Sequence, residues 1–146
     1  ILSRQGLPAQ SRSEEQLANI HRGGYVLRDV VDPQAIIIAT GSEVEIAIVA
    51  AKDLESEGIP IRVVSMPCVE AFDDQERRYR DSVLPPMLDK RVVVEAGVTE
   101  GWYRFVGFSG RVVGLDRFGE SAPASELFEK FGFTADNIKS VIKDLL

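Results

Sequence analysis

A lone cysteine, Cys68, and a lone histidine, His21, set the limits of the chemistry available to this chain of 146 residues. One cysteine cannot build an internal disulfide framework, and its thiol fits a reducing compartment such as the cytoplasm. One cysteine with one histidine cannot assemble a metal cluster of the His/Cys type. A Ser-His-Asp or Cys-His site would have to use His21. That residue stands in a polar stretch with no nucleophile elbow nearby and reads as a surface side chain. Long apolar runs are missing too: no stretch approaches the ~20 residues of a membrane span, and the opening residues do not read as a signal peptide. Positive charge is short, with 17 Lys and Arg against 23 Asp and Glu, a formal net charge of −6. Nucleic acid and anionic membrane both need a basic face, so neither is an expected partner. No catalytic residue, cofactor site or metal site is expected from this inventory.

What the chain does have is core. Hydrophobic residues make up 45% of it, enough for one globular domain that buries roughly two-thirds of its unfolded surface without a disulfide or metal. Gly6, Pro8 and Ser11 mark a linker. Ser13-Glu14-Glu15-Gln16 matches a capping box and opens a short helix to about Ile20, which Gly23-Gly24 ends. Tyr25 to Asp29 suits a strand. Ala35 to Ala39 is continuously apolar and β-branched, the pattern of a strand covered on both faces in a parallel sheet. Ser42-Glu43-Val44-Glu45 reads as a second capping box, opening a helix to about Glu57 with Gly58 as its cap.

Farther along, Ile61 to Met66 reads as a strand and Asp74 to Val83 as a charged helix. Arg91 to Ala96 follows as a strand, Trp102 to Phe108 as an aromatic helix, and Arg111 to Leu115 as the last strand. Two helices close the chain. One starts at Pro123 and is capped by Gly132; the other follows Thr134 and carries Ile138, Val141, Ile142 and Leu145 on one face. Strands alternating with helices on short connections mean an α/β sheet with helices on both sides.

Three features bear on a site. The Thr40-Gly41-Ser42 turn joins a strand to a helix N-terminus, where anions are favoured. It completes no nucleotide fingerprint, and Glu43 and Glu45 put negative charge there, so it reads as an ordinary turn. Glu95 and Glu100 resemble an acid–base pair only in spacing, with Glu95 better placed because α/β sheets gather sites at the carboxyl ends of strands. Trp102, Tyr103, Phe105 and Phe108 concentrate aromatic area that belongs either to the core or to a subunit contact.

The whole chain resembles the C-terminal third of the transketolases. The stretches that carry the likeness are Ser3-Arg4-Gln5, Gly23 to Leu27, Ala39 to Val44, Val64 to Pro67, Phe72-Asp73 with Gln75, Ser82 to Pro85, Val94 to Gly97, Phe118 to Pro123 and Phe131 to Thr134. The resemblance implies a three-layer α/β/α domain whose five-stranded sheet is mixed, mostly parallel, with one antiparallel strand at its start. It also implies that residues 1–5 are the stub of a preceding, pyrimidine-binding domain, 6–22 a linker with a short helix, and 23–146 the C-terminal domain. The blunt start on Ile1-Leu2 agrees with a chain cut from a longer one.

Enzymes of this family are cytoplasmic dimers of the pentose phosphate pathway that move a two-carbon ketol unit between sugar phosphates. They use thiamine diphosphate and Mg2+ or Ca2+. The resemblance places the cofactor, the metal and the catalytic histidines in the other domains, so the chain alone is expected to be inactive. One substrate-binding residue carries over: Arg4 matches the family arginine that contacts the sugar phosphate at the junction of two domains. Gly6 departs from the family's usual Asn after the Ser-Arg-Gln run. A docking module of a related thiamine-dependent dehydrogenase or synthase is the alternative reading, less consistent with Ser3-Arg4-Gln5 and the Phe118–Thr134 pattern.

Overall fold

The computed structural model describes residues 6–146, so Ile1 to Gln5 lie outside the described residues. Five strands, β1 (Tyr25–Arg28), β2 (Ala35–Ala39), β3 (Ile61–Ser65), β4 (Arg91–Val94) and β5 (Arg111–Val113), form one sheet among them in the order β1-β3-β2-β4-β5. β1 runs antiparallel to β3 and the other pairings are parallel, with Ile37 facing Val63 on one side and Val92 on the other. The mixed, mostly parallel sheet implied by the resemblance is the one found.

The run Ala35 to Ala39 is wholly buried because both faces of the sheet are covered. Strand alternation then divides the core. Ile37, Ala35 and Ala39 pack with α2 (Glu43–Ser56), α6 (Ala124–Phe131) and α7 (Ala135–Leu145) on one face. Ile36, Ile38, Val64 and Val93 pack with α3 (Val69–Asp73), α4 (Arg77–Val83) and α5 (Tyr103–Val106) on the other. No helix among the described residues is long and apolar enough to cross a membrane.

Local chemistry sets most boundaries. The Ser13 capping box forms around α1 (Glu14–Asn19), with Ser13 Oγ accepting from the Gln16 N–H at 3.2 Å and Gln16 Oε1 accepting from the Ser13 N–H at 2.9 Å. The Gln16 amide also donates to the carbonyls of Val26 and Leu27, which occupies part of the free edge of β1. Thr134 caps α7, its Oγ1 accepting from the Asn137 N–H at 3.2 Å. Thr134→Ala is expected to lose about 1 kcal/mol and roughly 3 °C of melting temperature. Thr134→Ser should retain both in a thermal melt.

The structure corrects three local expectations. The charged helix of residues 74–83 is shorter: it begins at Arg77 as α4, and a second short helix, α3, precedes it across Asp74-Gln75-Glu76. α3 has no side-chain cap; burial of Phe72, only 2% exposed, holds a segment that local propensity leaves unmarked. The box at Ser42 does not form: Ser42 has helical backbone angles, φ −69° and ψ −24°, and its hydroxyl donates to the Glu43 carboxylate at 3.0 Å. The aromatic helix of residues 102–108 is a 3-10 turn, Glu100–Trp102, followed by the single turn of α5.

Candidate functional site

The strand order places a switch point between β2 and β4. From β2 the chain crosses by α2 to β3 on one side; from β3 it returns by α3 and α4 to β4 on the other. In open α/β sheets ligands collect outside the carboxyl ends of the strands at such a point. A cleft of about 610 Å³ lies there, lined by the turn after β2, by Met66 to Glu70 after β3, by Glu95 and Ala96 after β4, and by Trp102 and Phe128. Three of the stretches that carry the family likeness, Ala39–Val44, Val64–Pro67 and Val94–Gly97, converge on it.

Within the cleft the turn does not present its amide groups to an anion. Gly41 takes φ +57°, and the Glu43 carboxylate folds back over it, with Oε2 3.5 Å from where a Cβ at Gly41 would stand. Glu43 is 4% exposed. Burial raises its carboxyl above the ordinary carboxylate range, against the lowering effect of its own backbone N–H and the Ser42 hydroxyl. Glu95 lies against Gly97 and its Oε2 is buried with no hydrogen-bond partner among the described residues. Burial, and then the nearby Glu43 charge, push Glu95 up to about 7.

The structure therefore pairs Glu95 with Glu43, not with Glu100, which is exposed on its 3-10 turn. Sequence reasoning missed this pairing because the two residues are far apart in the chain. The available signal was positional: each stands just after one of two strands that become neighbours.

Among the described residues no Lys, Arg or His lines this cleft. Its carboxylates do not fit a diphosphate, and no group of three His, Cys, Asp or Glu residues suited to a metal ion occurs among the described residues. The thiamine cofactor and its metal thus have no matching donor set here. A carboxyl titrating near neutrality is able to exchange protons, yet no cationic side chain among the described residues stands beside it to hold a substrate anion. Arg4 lies outside the described residues.

The family model described as the transketolase-like TK C-terminal domain matches residues 23–134. The chain belongs to the transketolase family. Transketolase 1 of Escherichia coli (strain K12) is 58% identical over 147 residues, which cover 100% of this chain and 22% of that protein. The solved transketolase from Leishmania mexicana superposes with a TM-score of 0.88 at 42% identity, over 97% of this chain and 20% of that one. A transketolase from Pichia stipitis, solved in complex with sedoheptulose 7-phosphate, gives 0.84 at 39% identity over 97% and 20%. The chain thus spans about a fifth of the length of these relatives.

In this transketolase domain several of the family stretches among the described residues belong to the scaffold. Gly23-Gly24 packs under α3, where a Cβ on Gly24 would stand 2.5 Å from Met66 Sδ and 2.8 Å from a Phe72 ring carbon. The carbonyls of Leu84 and Pro85 accept from the Arg91 guanidinium at 3.1 and 2.8 Å. The Phe118–Pro123 loop is exposed and is tied by Glu120 to Arg117 and Lys130. Behind it, the Asp116 carboxylate accepts from the Thr99 N–H at 2.9 Å and the Thr99 hydroxyl at 2.7 Å, which holds its pKa below the ordinary value. The aromatic group divides: Phe105 is buried in the core and Trp102 half-buried, while Tyr103 and Phe108 are exposed. His21 and Cys68 are both exposed.

Proposed function

We propose that this chain works as the C-terminal domain of a transketolase and takes part in ketol transfer only alongside the thiamine-binding domains. The observation that carries this reading is the match of the whole chain, at 58% identity, to 22% of a transketolase. In this reading residues 1–5 end the preceding domain, 6–22 link it to the sheet, and 23–146 are the terminal domain. The assembled enzyme would be a cytoplasmic homodimer holding thiamine diphosphate and a divalent cation outside this chain. Bound there, the cofactor supplies the electron sink for carbon–carbon cleavage. The part of this chain would be to support the assembly and to lend Arg4 to the substrate.

Arg4 is assigned to the phosphate of the sugar. A planar guanidinium forms paired hydrogen bonds with a phosphate, and such remote binding orients the reacting carbon. The test joins this chain to the first two domains of the Escherichia coli relative. The chimera should transfer ketol units, and the 146-residue chain alone should not, even with thiamine diphosphate and Mg2+. In the chimera, Arg4→Ala should raise KM for a phosphorylated acceptor about ten-fold, the loss of a charge-assisted hydrogen bond. It should leave an unphosphorylated acceptor unchanged. Equal losses on both acceptors would refute the role of Arg4, and an inactive wild-type chimera would refute the reading as a whole.

A further inference from the structure

A second cavity, of about 340 Å³, opens on the sheet face that carries α3, α4 and α5. In a chain of net charge −6 its lining is anomalous: Arg77, Arg80, Arg91 and Arg104 stand against only Asp73 and Asp81. Two of these arginines are neutralised. Arg104 pairs with Asp73 at 2.7 Å and stacks over the Phe105 ring at 4.8 Å, which fixes the plane of its guanidinium. Arg77 pairs with Asp81 at 3.3 Å.

The other two arginines have no carboxylate partner among the described residues. Arg91 donates to the carbonyls of Leu84, Pro85, Leu88 and Phe105 and forms no ion pair among them; Asp89 and Asp81 act on its charge only from farther away. Burial lowers its pKa, against the raising effect of Asp89 and Asp81. Arg80 has its Nε buried with no hydrogen-bond partner among the described residues. A buried donor without an acceptor is a cost that a folded protein normally removes. Here the missing partner is an acceptor, and its surroundings are cationic.

We propose that this cavity binds a small phosphate-bearing anion through Arg80, with Arg91, the other arginine without an ion pair, adding positive charge behind it. Planar guanidiniums match phosphate oxygens in paired hydrogen bonds, better than lysine does. The volume suits a small metabolite, and Phe72, Leu84 and Phe105 give its non-phosphate part an apolar wall. The site shares no lining residue with the cleft of Glu43 and Glu95.

The test titrates the 146-residue chain with inorganic phosphate at constant ionic strength, by calorimetry and by thermal melting, with acetate and chloride as controls. Phosphate should bind saturably at millimolar concentration and raise the melting temperature, and the controls should not. Arg80→Gln should weaken phosphate binding at least about ten-fold, the loss expected for a charge-assisted hydrogen bond. Without phosphate it should melt no lower than the wild type, because Arg80 Nε has no partner to lose. Arg78→Gln makes the same charge change at an exposed position of α4 outside the cavity and should retain phosphate binding. Absence of saturable binding, or equal losses in the two variants, would overturn the proposal. So would an acetate response equal to that of phosphate, or a destabilised Arg80→Gln in phosphate-free buffer.

Discussion

Gly23→Ala is expected to lower the melting temperature by about 10 °C. Gly23 ends the 3-10 turn that follows α1, at φ +82°, a conformation from which an L side chain loses roughly 1–2 kcal/mol. Crowding is the larger part. A Cβ there would stand 2.2 Å from the Cys68 carbonyl oxygen, 2.5 Å from the Phe72 nitrogen and 2.9 Å from the Ala71 carbonyl carbon. All three are backbone atoms, so no rotamer change relieves the clash. The Gly23 carbonyl also accepts from the Cys68 N–H at 3.0 Å, which ties the two segments together.

Forced overpacking of this kind adds about 1–3 kcal/mol, bringing the expected loss near 4 kcal/mol. Gly58→Ala is the control. Gly58 has φ +84° but nothing within 4 Å of its absent Cβ, so it should lose only the conformational part, about 1–2 kcal/mol. Melting followed by circular dichroism distinguishes the two. Equal losses would mean that α3 yields and that the contact with Gly23 does not hold it.

That contact also shows why the sequence was legible in some places and not in others. The run Ala35 to Ala39 is continuously apolar, and a strand with that pattern needs cover on both faces; α2 and α7 supply it on one side, α3 to α5 on the other. The caps at Ser13, Thr134, Gly58 and Gly132 act within a few residues of themselves, so local sequence carries them. The antiparallel pairing of β1 came from the family resemblance, not from any pattern in Tyr25–Arg28.

What was hidden depends on distant partners. α3 is held by Phe72 beneath the sheet and by the Gly23 contact. The Ser42 hydroxyl, free to cap in an isolated helix, is taken by Glu43, whose carboxylate the cleft buries. The arginines of the second cavity come from α4, β4 and α5, and no window of the sequence contains them together. The place of Glu95 after a strand is legible in the sequence, but its interaction with Glu43 exists only because β4 lies beside β2.

Replacing Glu95 with glutamine should make folding stability less dependent on pH and stabilise the domain above neutrality. In the folded chain the Glu95 carboxyl titrates near 7; its ordinary value is 4.5. Between those values the folded state retains a proton that the unfolded state has released, so stability declines as pH rises. The decline is complete once pH has passed through the folded pKa.

At 1.36 kcal/mol for each pH unit between the two values, the largest penalty is about 3 kcal/mol. Partial exposure of the carboxyl screens it to about 2 kcal/mol. The glutamine side chain of Glu95→Gln never ionises, so the difference in stability between variant and wild type should be near zero at pH 4.5 and below. It should climb through the interval and level off above about 7. Using the difference cancels the depressed carboxylates Asp116 and Glu120, whose contributions are lost at the acid end in both proteins.

Glu43→Gln isolates the second cause. It removes the neighbouring negative charge but leaves the burial of Glu95, so the Glu95 midpoint should move down without reaching 4.5. Urea titrations across the pH range measure all three proteins. A difference curve that is flat through the interval would mean that water or a counter-charge reaches Glu95. An unmoved midpoint in Glu43→Gln would leave burial as the sole cause and would separate the two carboxylates that the strand order brings to one cleft.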